Sequence, residues 1–215
     1  MIALYTAPAV LQPDDPRVRA LLPPDRIAAA LRLRIPQARA CAVTADLLLR
    51  AAVRAQMPHI ALPFARAADA NGKPYLPDLP DLHFSLSHSA GRVICAVAAV
   101  PVGADTECVR RVPDGLIARC CTPAEQTLLR HPEDFFPLWM CKEAVMKCCG
   151  LGLRLPPREI ALAQLCPPVL SGPVRGQRYA LSLVPLPDGG QAAVCVKGLQ
   201  PPAVQIRACS PAQLL

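Results

Sequence analysis

The sequence contains few aromatic residues and no long hydrophobic run. Phe, Tyr and Trp together make up 4% of the 215 residues. Proteins that bind single-stranded nucleic acid stack bases on aromatic side chains, so this composition ranks nucleic acid last among the anionic partners considered. The longest apolar stretch, residues 93–104, contains Pro101 and is shorter than the ~20 residues that a membrane helix needs. We therefore expect neither a nucleic-acid nor a membrane partner.

The sequence also lacks the marks of secretion and of a zinc site. The first ten residues, MIALYTAPAV, have no basic leader, and Asp14 and Asp15 follow them, so we expect a cytoplasmic protein. The eleven cysteines are an odd number and several lie in apolar segments, which favours reduced core thiols over disulfides. No Cys-x-x-Cys spacing occurs, which argues against structural zinc.

The overall composition is that of a folded globular protein. Apolar residues make up 53% of the chain and charged residues 18%, which excludes the polar composition of disordered proteins. The 23 basic and 16 acidic residues give a net charge of +7, which favours an anionic partner without identifying it. A chain of this length forms one large domain or two small ones that share a core.

The periodicity of the first half predicts a strand, two helices and a hairpin. The segment 64–83 is rich in turn residues, so we expect it to be an irregular loop that faces a ligand. Serines alternate with apolar residues in HFSLSHS, and a turn signal separates this half-buried strand from a fully apolar one. The predicted elements are a strand at 2–6, helices that begin near Asp25 and Ala38, and a hairpin formed by residues 83–89 and 93–100.

The second half predicts two helices and a second hairpin. Thr122 and Glu125 have the spacing of a capping box, which places a helix start at Pro123. The segment FFPLWMCKEAVMKCC predicts the best helix of the chain, and Gly150 is its stop signal. Two strands are expected around the turn PDGG. The order helix, hairpin, helix, hairpin indicates an α+β protein with two similar halves.

Two carboxylates end the buried strand, in the segment GADTE. Side chains alternate between the faces of a strand, so Asp105 and Glu107 are expected on one face, about 6–7 Å apart along the backbone. On the long helix, Glu143 and Lys147 lie one turn apart. Three acids beside a lysine suit Mg²⁺ and phosphate groups. Each feature alone also occurs as a polar strand end or an ordinary helical ion pair, so the phosphoryl interpretation rests on their combination.

Three segments resemble the signature blocks of the 4′-phosphopantetheinyl transferases of the broad-specificity, Sfp type. The segments are GKPYLPDLPDLHFSLSHS, VGADTE and LWMCKEAVMKCCGLGL, within a resemblance that spans roughly Pro24 to Leu153. Such enzymes transfer the 4′-phosphopantetheine arm of coenzyme A to a serine hydroxyl of an acyl or peptidyl carrier protein and release adenosine 3′,5′-bisphosphate. The resemblance implies two pseudo-twofold-related α/β halves, which we assign to residues 1–99 on the nucleotide side and 100–215 with the metal site and carrier docking.

The resemblance also implies roles for five residues in catalysis. Asp105, Glu107 and Glu143 match the acids that hold Mg²⁺, or alternatively Mn²⁺, on the coenzyme A pyrophosphate. Glu143 also matches the general base for the carrier serine, directly or through a water molecule. Lys147 matches a residue that binds the phosphate charge, and Lys142 matches a lysine with a supporting catalytic role.

Four residues match the coenzyme A contacts of the family. Ser87 and His88 correspond to a strand-end pair that contacts a coenzyme A phosphate, since a hydroxyl and an imidazole N–H both donate hydrogen bonds. Lys73 lies in the loop that corresponds to the adenine nucleotide side. Arg26 matches a basic residue that binds the 3′-phosphate.

The chain departs from the family pattern near the 3′-phosphate. Ala29 and Cys41 occupy positions that are basic in relatives, so the predicted phosphate clamp has fewer cations. Arg32 and Arg39 are the candidates to compensate, because a guanidinium reaches far and binds phosphate as a fork.

The net charge and the resemblance together predict the partner. Carrier proteins are acidic around their serine, so a basic enzyme would attract one, with docking expected around residues 148–168. We expect a monomer.

Two other interpretations stay open from the residues alone: a Mg²⁺-dependent pyrophosphatase that acts on nucleotides, and a binding module for coenzyme A or nucleic acid without turnover.

Overall fold

The structure, a computed structural model, describes residues 1–215 as two stacked β-sheets with one long helix on the outer face of each. The strands are β1 (Ile2–Pro8), β2 (Ala67–Ala68), β3 (Pro74–Tyr75), β4 (His83–Ser89), β5 (Arg92–Ala98), β6 (Val102–Asp105), β7 (Leu162–Leu165), β8 (Pro168–Leu170), β9 (Tyr179–Pro185), β10 (Gln191–Lys197) and β11 (Val204–Ala208). The helices are α1 (Pro16–Leu21), α2 (Pro24–Leu31), α3 (Pro36–Gln56), α4 (Leu116–Cys120), α5 (Pro123–Gln126), α6 (Phe135–Cys149) and α7 (Pro211–Leu214). Short 3-10 helices are formed by Pro132–Asp134, Gly152–Arg154 and Pro157–Glu159.

Four layers follow from the strand order and the cores. The first sheet has the order β11-β1-β5-β4 and the second has the order β6-β10-β9. Helix α3 packs on the outer face of the first sheet, α6 packs on the outer face of the second, and an aliphatic core lies between the sheets. None of the helices is both long and apolar enough to cross a bilayer.

This layering explains why β5 and β10 are apolar at nearly every position. Val93, Cys95 and Val97 belong to the core beneath α3, whereas Ile94 and Ala96 belong to the core between the sheets. Alternate side chains of a strand point to opposite faces, so a strand that is covered on both faces needs apolar residues throughout. Each of the two strands is therefore buried on both faces between two antiparallel neighbours.

The predicted α+β class is confirmed, and so are the principal elements. Helices α2, α3, α5 and α6 and the strand pairs β4–β5 and β9–β10 lie where the sequence predicted them. The capping box of Thr122 and Glu125 is formed, and Gly150 ends α6 with a positive φ of 77°. The pseudo-twofold relation between the halves stays a prediction.

The sequence analysis missed the C-terminal strand β11. This strand pairs in parallel with β1, so residues from the end of the chain complete the sheet that the N-terminal half forms. The predicted boundary near residue 100 separates the other strands of the two sheets. A parallel partner about 200 residues away gives no local pattern from which pairing can be read.

Gly103 is required by the contact between β6 and α6. A Cβ atom at this position would lie 2.0 Å from the carbonyl oxygen of Ala144 and 2.4 Å from the backbone nitrogen of Cys148. These are backbone atoms of the helix, which cannot move away as a side-chain end could. The absence of a side chain at Gly103 therefore lets α6 lie directly on β6.

A buried ion pair joins α6 to α5. The ammonium of Lys142 is 2.7 Å from Oε1 of Glu125, and neither side chain is exposed to solvent. The same ammonium donates hydrogen bonds to the carbonyl oxygens of Pro157 and Ile160. Because every proton of the ammonium has a protein acceptor, these contacts give Lys142 a structural role, and its predicted supporting catalytic role stays a prediction.

We predict that Gly103→Ala lowers the free energy of unfolding by at least the ~1–3 kcal/mol typical of an overpacked core. The added methyl group would press on the backbone of α6. Gly172→Ala is the matched control, since a Cβ atom there meets nothing within 4 Å. Denaturant titration measures both variants, and equal stabilities would show that the close contact is absent.

We predict that Lys142→Met destabilises the fold by ~3–5 kcal/mol, because it leaves the buried carboxylate of Glu125 without its cation. Lys197→Met, at an exposed lysine, is expected to change stability by only ~0.5 kcal/mol. Thermal and denaturant unfolding monitored by circular dichroism compare the two. A Lys142→Met protein as stable as the control would contradict the buried pair.

Candidate active site

Alternate serines on β4 connect the first sheet to the end of β6 in the second. Their hydroxyl groups face the same side because side chains two residues apart share a face of a strand. The bonds join Ser85 to the backbone N–H of Ala104 (2.9 Å), Ser87 to Asp105 (2.6 Å), and Ser89 to Glu107 and the backbone N–H of Cys108 (2.9 Å each). Asp105 and Glu107 therefore point toward the same strand, as the sequence analysis predicted.

Asp105 is the buried centre of the site. Its Oδ1 atom accepts hydrogen bonds from the Ser87 hydroxyl and the Lys147 ammonium, each at 2.6 Å. Its Oδ2 atom is buried and has no hydrogen-bond partner. Burial raises the pKa of the Asp105 carboxyl, and the positive charge of Lys147 opposes this shift. The free oxygen is an acceptor site that the protein itself leaves unfilled.

Helix α6 brings Glu143 and Lys147 beside Asp105. The Lys147 ammonium also donates to the Ser87 hydroxyl at 2.9 Å and lies 3.7 Å from Oε2 of Glu143. Burial raises the pKa of Glu143, and the negative charge of Asp105 raises it further. The carboxyl groups of Glu143 and Asp105 are therefore close enough to repel each other, with Lys147 as the cation that they share.

Glu107 is held by an arginine that the sequence analysis did not select. Its Oε2 atom accepts hydrogen bonds from Ser89 at 2.9 Å and from Arg110 at 2.8 Å. The guanidinium of Arg110 also lies 5.1 Å from the ring centroid of Phe136. The spacing of three residues between Glu107 and Arg110 was the available signal, but it is common in turns and does not by itself indicate a pair.

The predicted metal ligands are near one another without forming a closed metal site. No three His, Cys, Asp or Glu side chains are arranged to hold a metal ion. Two observations nevertheless fit a divalent cation: the unpartnered Oδ2 of Asp105 and the repulsion between Asp105 and Glu143. Carboxylate oxygens are the ligands that Mg²⁺ takes from proteins, usually together with waters and phosphate oxygens.

A cleft cavity of about 440 Å³ is lined by Lys147, the partner of Asp105, whereas none of the three acids lines it. Four of the predicted site residues line it: Arg26, Lys73, His88 and Lys147. They come from α2, the loop before β3, β4 and α6, so the fold brings together residues that are far apart in the sequence. Two further residues that the sequence analysis missed, Asp46 and Arg66, line the same cavity.

Lys73 binds the end of α6 in this structure. Its ammonium donates a hydrogen bond to the carbonyl oxygen of Cys148 at 2.9 Å, an acceptor in the last turn of α6 that favours positive charge. Burial lowers the pKa of Lys73. The ammonium therefore fastens the loop to the helix, and the predicted contact of this loop with the nucleotide stays a prediction.

Arg32 and Arg39 do not line the cleft cavity. The Nε atom of Arg39 donates instead to the carbonyl oxygen of Leu33 at 2.7 Å. Cys41 is buried, with 3% of its surface exposed. The compensation expected from Arg32 or Arg39 stays a prediction.

Comparisons with known proteins find similarity to one family of transferases. The family model described as "4′-phosphopantetheinyl transferase superfamily" matches residues 101–179, which include β6 and α6. The chain is 35% identical over 117 residues to the 4′-phosphopantetheinyl transferase Sfp of Bacillus subtilis (strain 168), a match that covers 52% of each protein. It is 38% identical over 143 residues to the 4′-phosphopantetheinyl transferase HetI of a Nostoc species, covering 60% of this chain and 59% of that protein.

A third relative, a 4′-phosphopantetheinyl transferase of Bacillus subtilis, is 41% identical over 91 residues, which are 40% of this chain and 41% of the relative. The chain thus spans about half the length of the relatives it matches. The matched region of the family model contains all three acids and Lys147. These matches make residues 101–179 of the chain, which hold this arrangement of side chains, similar to the 4′-phosphopantetheinyl transferase superfamily.

Proposed function

We propose that the protein transfers the 4′-phosphopantetheine arm of coenzyme A to a serine hydroxyl of an acyl or peptidyl carrier protein and releases adenosine 3′,5′-bisphosphate. The observation that carries this proposal is the cluster of Asp105, Glu143 and Lys147 beside a cleft cavity lined by cations. Such a cluster suits a diphosphate, since lysine neutralises phosphate charge and the acids bind a divalent cation. The similarity of residues 101–179 to the superfamily supports the same reaction.

Asp105, Glu107 and Glu143 are the residues that would hold Mg²⁺ or Mn²⁺. The bound ion would neutralise charge on the pyrophosphate, so that the bisphosphate leaves more readily. The Ser87 hydroxyl and the Lys147 ammonium orient Asp105 by their bonds to Oδ1 and leave Oδ2 free for this task. For Glu107 to take part, its bond to Arg110 would have to be exchanged for the ion.

Glu143 is the proposed general base. Its raised pKa makes the carboxylate a stronger proton acceptor than an exposed glutamate, and a base works best with a pKa near the working pH. Glu143 is partly exposed, so a carrier serine or a bridging water has access to it. Lys147 would stabilise the phosphate charge that remains after transfer.

The carrier protein is proposed to dock beside the C-terminal end of α6. Leu153 is 75% exposed there, and Arg154 and Arg158 lie in the two short 3-10 helices that follow α6. An exposed apolar residue beside arginines would match a carrier protein whose docking surface is apolar at its centre and acidic around it. The proposed activity is thus that of a monomeric enzyme with coenzyme A and a carrier protein as its substrates.

We predict that Glu143→Gln lowers kcat for transfer ~10²- to 10⁴-fold, the usual contribution of a general base. Mass spectrometry of an apo-carrier incubated with coenzyme A measures the gain of one phosphopantetheine arm. Glu133→Gln, at an exposed acid close to the N-terminus of α6, is the matched control and should keep full activity. Undiminished transfer by a folded Glu143→Gln protein would exclude Glu143 as the base.

The same assay separates the proposal from the two other interpretations. A pyrophosphatase would cleave coenzyme A while the mass of the carrier stays unchanged. A binding module would bind coenzyme A and change neither molecule. Either result with the unmodified protein, across a panel of apo-carriers, would overturn the transferase proposal.

We predict that transfer requires a divalent cation and that Asp105 binds it. Dialysis against EDTA should abolish transfer, and Mg²⁺ or Mn²⁺ should restore it. Asp105→Asn should weaken Mn²⁺ binding by more than the ~10- to 100-fold that changes beside a metal ligand cost, measured by electron paramagnetic resonance with coenzyme A present. Asp114→Asn, at an exposed acid, is the control. Full activity in EDTA would contradict the metal assignment.

A further inference from the structure

Glu107 lies just beyond the end of β6 and is held there by bonds of its own. The strand ends at Asp105. The backbone N–H of Glu107 donates to Sδ of Met140 on α6 at 3.2 Å, and the hydroxyl of Ser89 on β4 donates to its Oε2 atom at 2.9 Å. The same hydroxyl accepts the backbone N–H of Cys108 at 2.9 Å. Two elements therefore fix Glu107, although it lies outside the strand.

Arg110 supplies the cation that faces Glu107. Its Nη1 atom lies 2.8 Å from Oε2 of Glu107, the oxygen that Ser89 also binds. The side chain of Glu107 is 19% exposed and that of Arg110 is 57% exposed. The pair thus joins a half-buried acid to a guanidinium that solvent reaches. Such a pair is weak, since water solvates the exposed cation almost as well as the carboxylate does.

Lys147, the other cation of the site, is held more firmly. Its ammonium donates to Asp105 at 2.6 Å and to the Ser87 hydroxyl at 2.9 Å, and it lies 3.7 Å from Glu143. Its side chain is half-buried and belongs to the last turn of α6. Lys147 thus has two acidic partners and a hydroxyl, whereas Arg110 has one acidic partner. Of the two cations, Arg110 is the one that is easier to displace.

Arg110 keeps other contacts when its bond to Glu107 breaks. Its guanidinium lies 5.1 Å from the ring centroid of the buried Phe136, within the range of a cation–π contact. Its Nη1 atom is also 3.3 Å from the carbonyl oxygen of Cys108. Neither contact involves an acid of the site. They lower the cost of releasing Glu107, because Arg110 does not lose all its partners at once.

A divalent cation and the guanidinium of Arg110 would repel each other if both were bound to Glu107, since like charges a few ångströms apart interact unfavourably even near the protein surface. The Oε1 atom of Glu107 makes no hydrogen bond or ion pair within the protein. This oxygen is therefore available to a ligand while Oε2 still holds Arg110. The contacts of Glu107 thus permit an exchange of one cation for another.

We infer that Arg110 is an exchangeable counter-ion of Glu107, which competes with the divalent cation and so sets the concentration of metal that the enzyme needs. This inference rests on the proposed function, in which the three acids bind that cation. Arg110 is a positioning residue, because it acts on the ion only through Glu107. An arginine that merely orients Glu107 would strengthen metal binding, whereas a competitor weakens it. Replacing Arg110 with an uncharged residue should therefore tighten metal binding.

The test measures Mn²⁺ binding by electron paramagnetic resonance, with coenzyme A present, for the unmodified protein and for Arg110→Met. The dissociation constant should fall about 2- to 5-fold, which corresponds to the strength of an exposed ion pair. Arg110→Lys keeps a positive charge and should give an intermediate value. Arg111→Met, at the neighbouring exposed arginine, is the matched control and should leave the constant unchanged.

A double-mutant cycle shows whether the effect passes through Glu107. In a Glu107→Gln protein, Arg110→Met should no longer tighten Mn²⁺ binding, because the uncharged amide does not hold the guanidinium as a carboxylate does. Equal tightening in both backgrounds would reflect only the general charge of the site and would overturn the inference. Unchanged or weaker Mn²⁺ binding by the single Arg110→Met variant would overturn it as well.

The outcomes distinguish this inference from the proposed function, because the Mn²⁺ titration involves neither a carrier protein nor turnover. If Arg110→Met shows the expected change but the unmodified protein modifies no apo-carrier, the transferase proposal fails and the role of Arg110 stands. If the unmodified protein transfers the arm and Arg110→Met binds Mn²⁺ no more tightly, the role of Arg110 is wrong and the transferase stands. An unmodified protein that binds no Mn²⁺ would overturn the inference together with the metal assignment.

Discussion

The direct contact between the backbone of α6 and Gly103 brings the site residues of α6 next to the acids at the end of β6. A helix normally packs on a sheet through side chains, which keeps the backbones well apart. Here the missing side chain lets the helix lie on β6, and Lys147 then reaches Asp105 at 2.6 Å. The serines of β4 bind the same strand end from the other sheet. The acids are thus fixed by backbone packing on one side and hydroxyl groups on the other.

Two buried carboxylates organise the cations of the cleft in the same physical way. Asp105 holds Lys147, and Asp46 holds Arg26 and Arg66. A buried acid with a single strong partner would give a neutral pair. In both places, however, an unused group remains: Oδ2 of Asp105 as an acceptor and the outer nitrogens of the arginines as donors. Under the proposed function, these groups would serve the phosphate groups of coenzyme A and a divalent cation.

The elements with strong local signals were predictable, and the long-range arrangements were not. The capping box at Thr122, the glycine stop of α6 and the β4–β5 hairpin follow from neighbouring residues alone. Of the site, strand alternation predicted a shared face for Asp105 and Glu107. The structure ends β6 at Asp105 and shows both acids bonded to serines of β4. The buried pair of Lys142 and Glu125 was not predictable, because Glu125 lies 17 residues away on another helix. Arg66 carried no signal, since its segment has no regular pattern.

The sequence by itself determined the secondary structure around the site, the acids and lysine at their spacings, and the resemblance that predicted their chemistry. It did so because strand and helix periodicity act between residues that are close along the chain. Only the tertiary structure decided which cations pair with which acids, how β11 completes the first sheet, and that Arg66 lines the cleft cavity together with Arg26. Those contacts join residues 20 to 200 positions apart, and they form only when the layers pack.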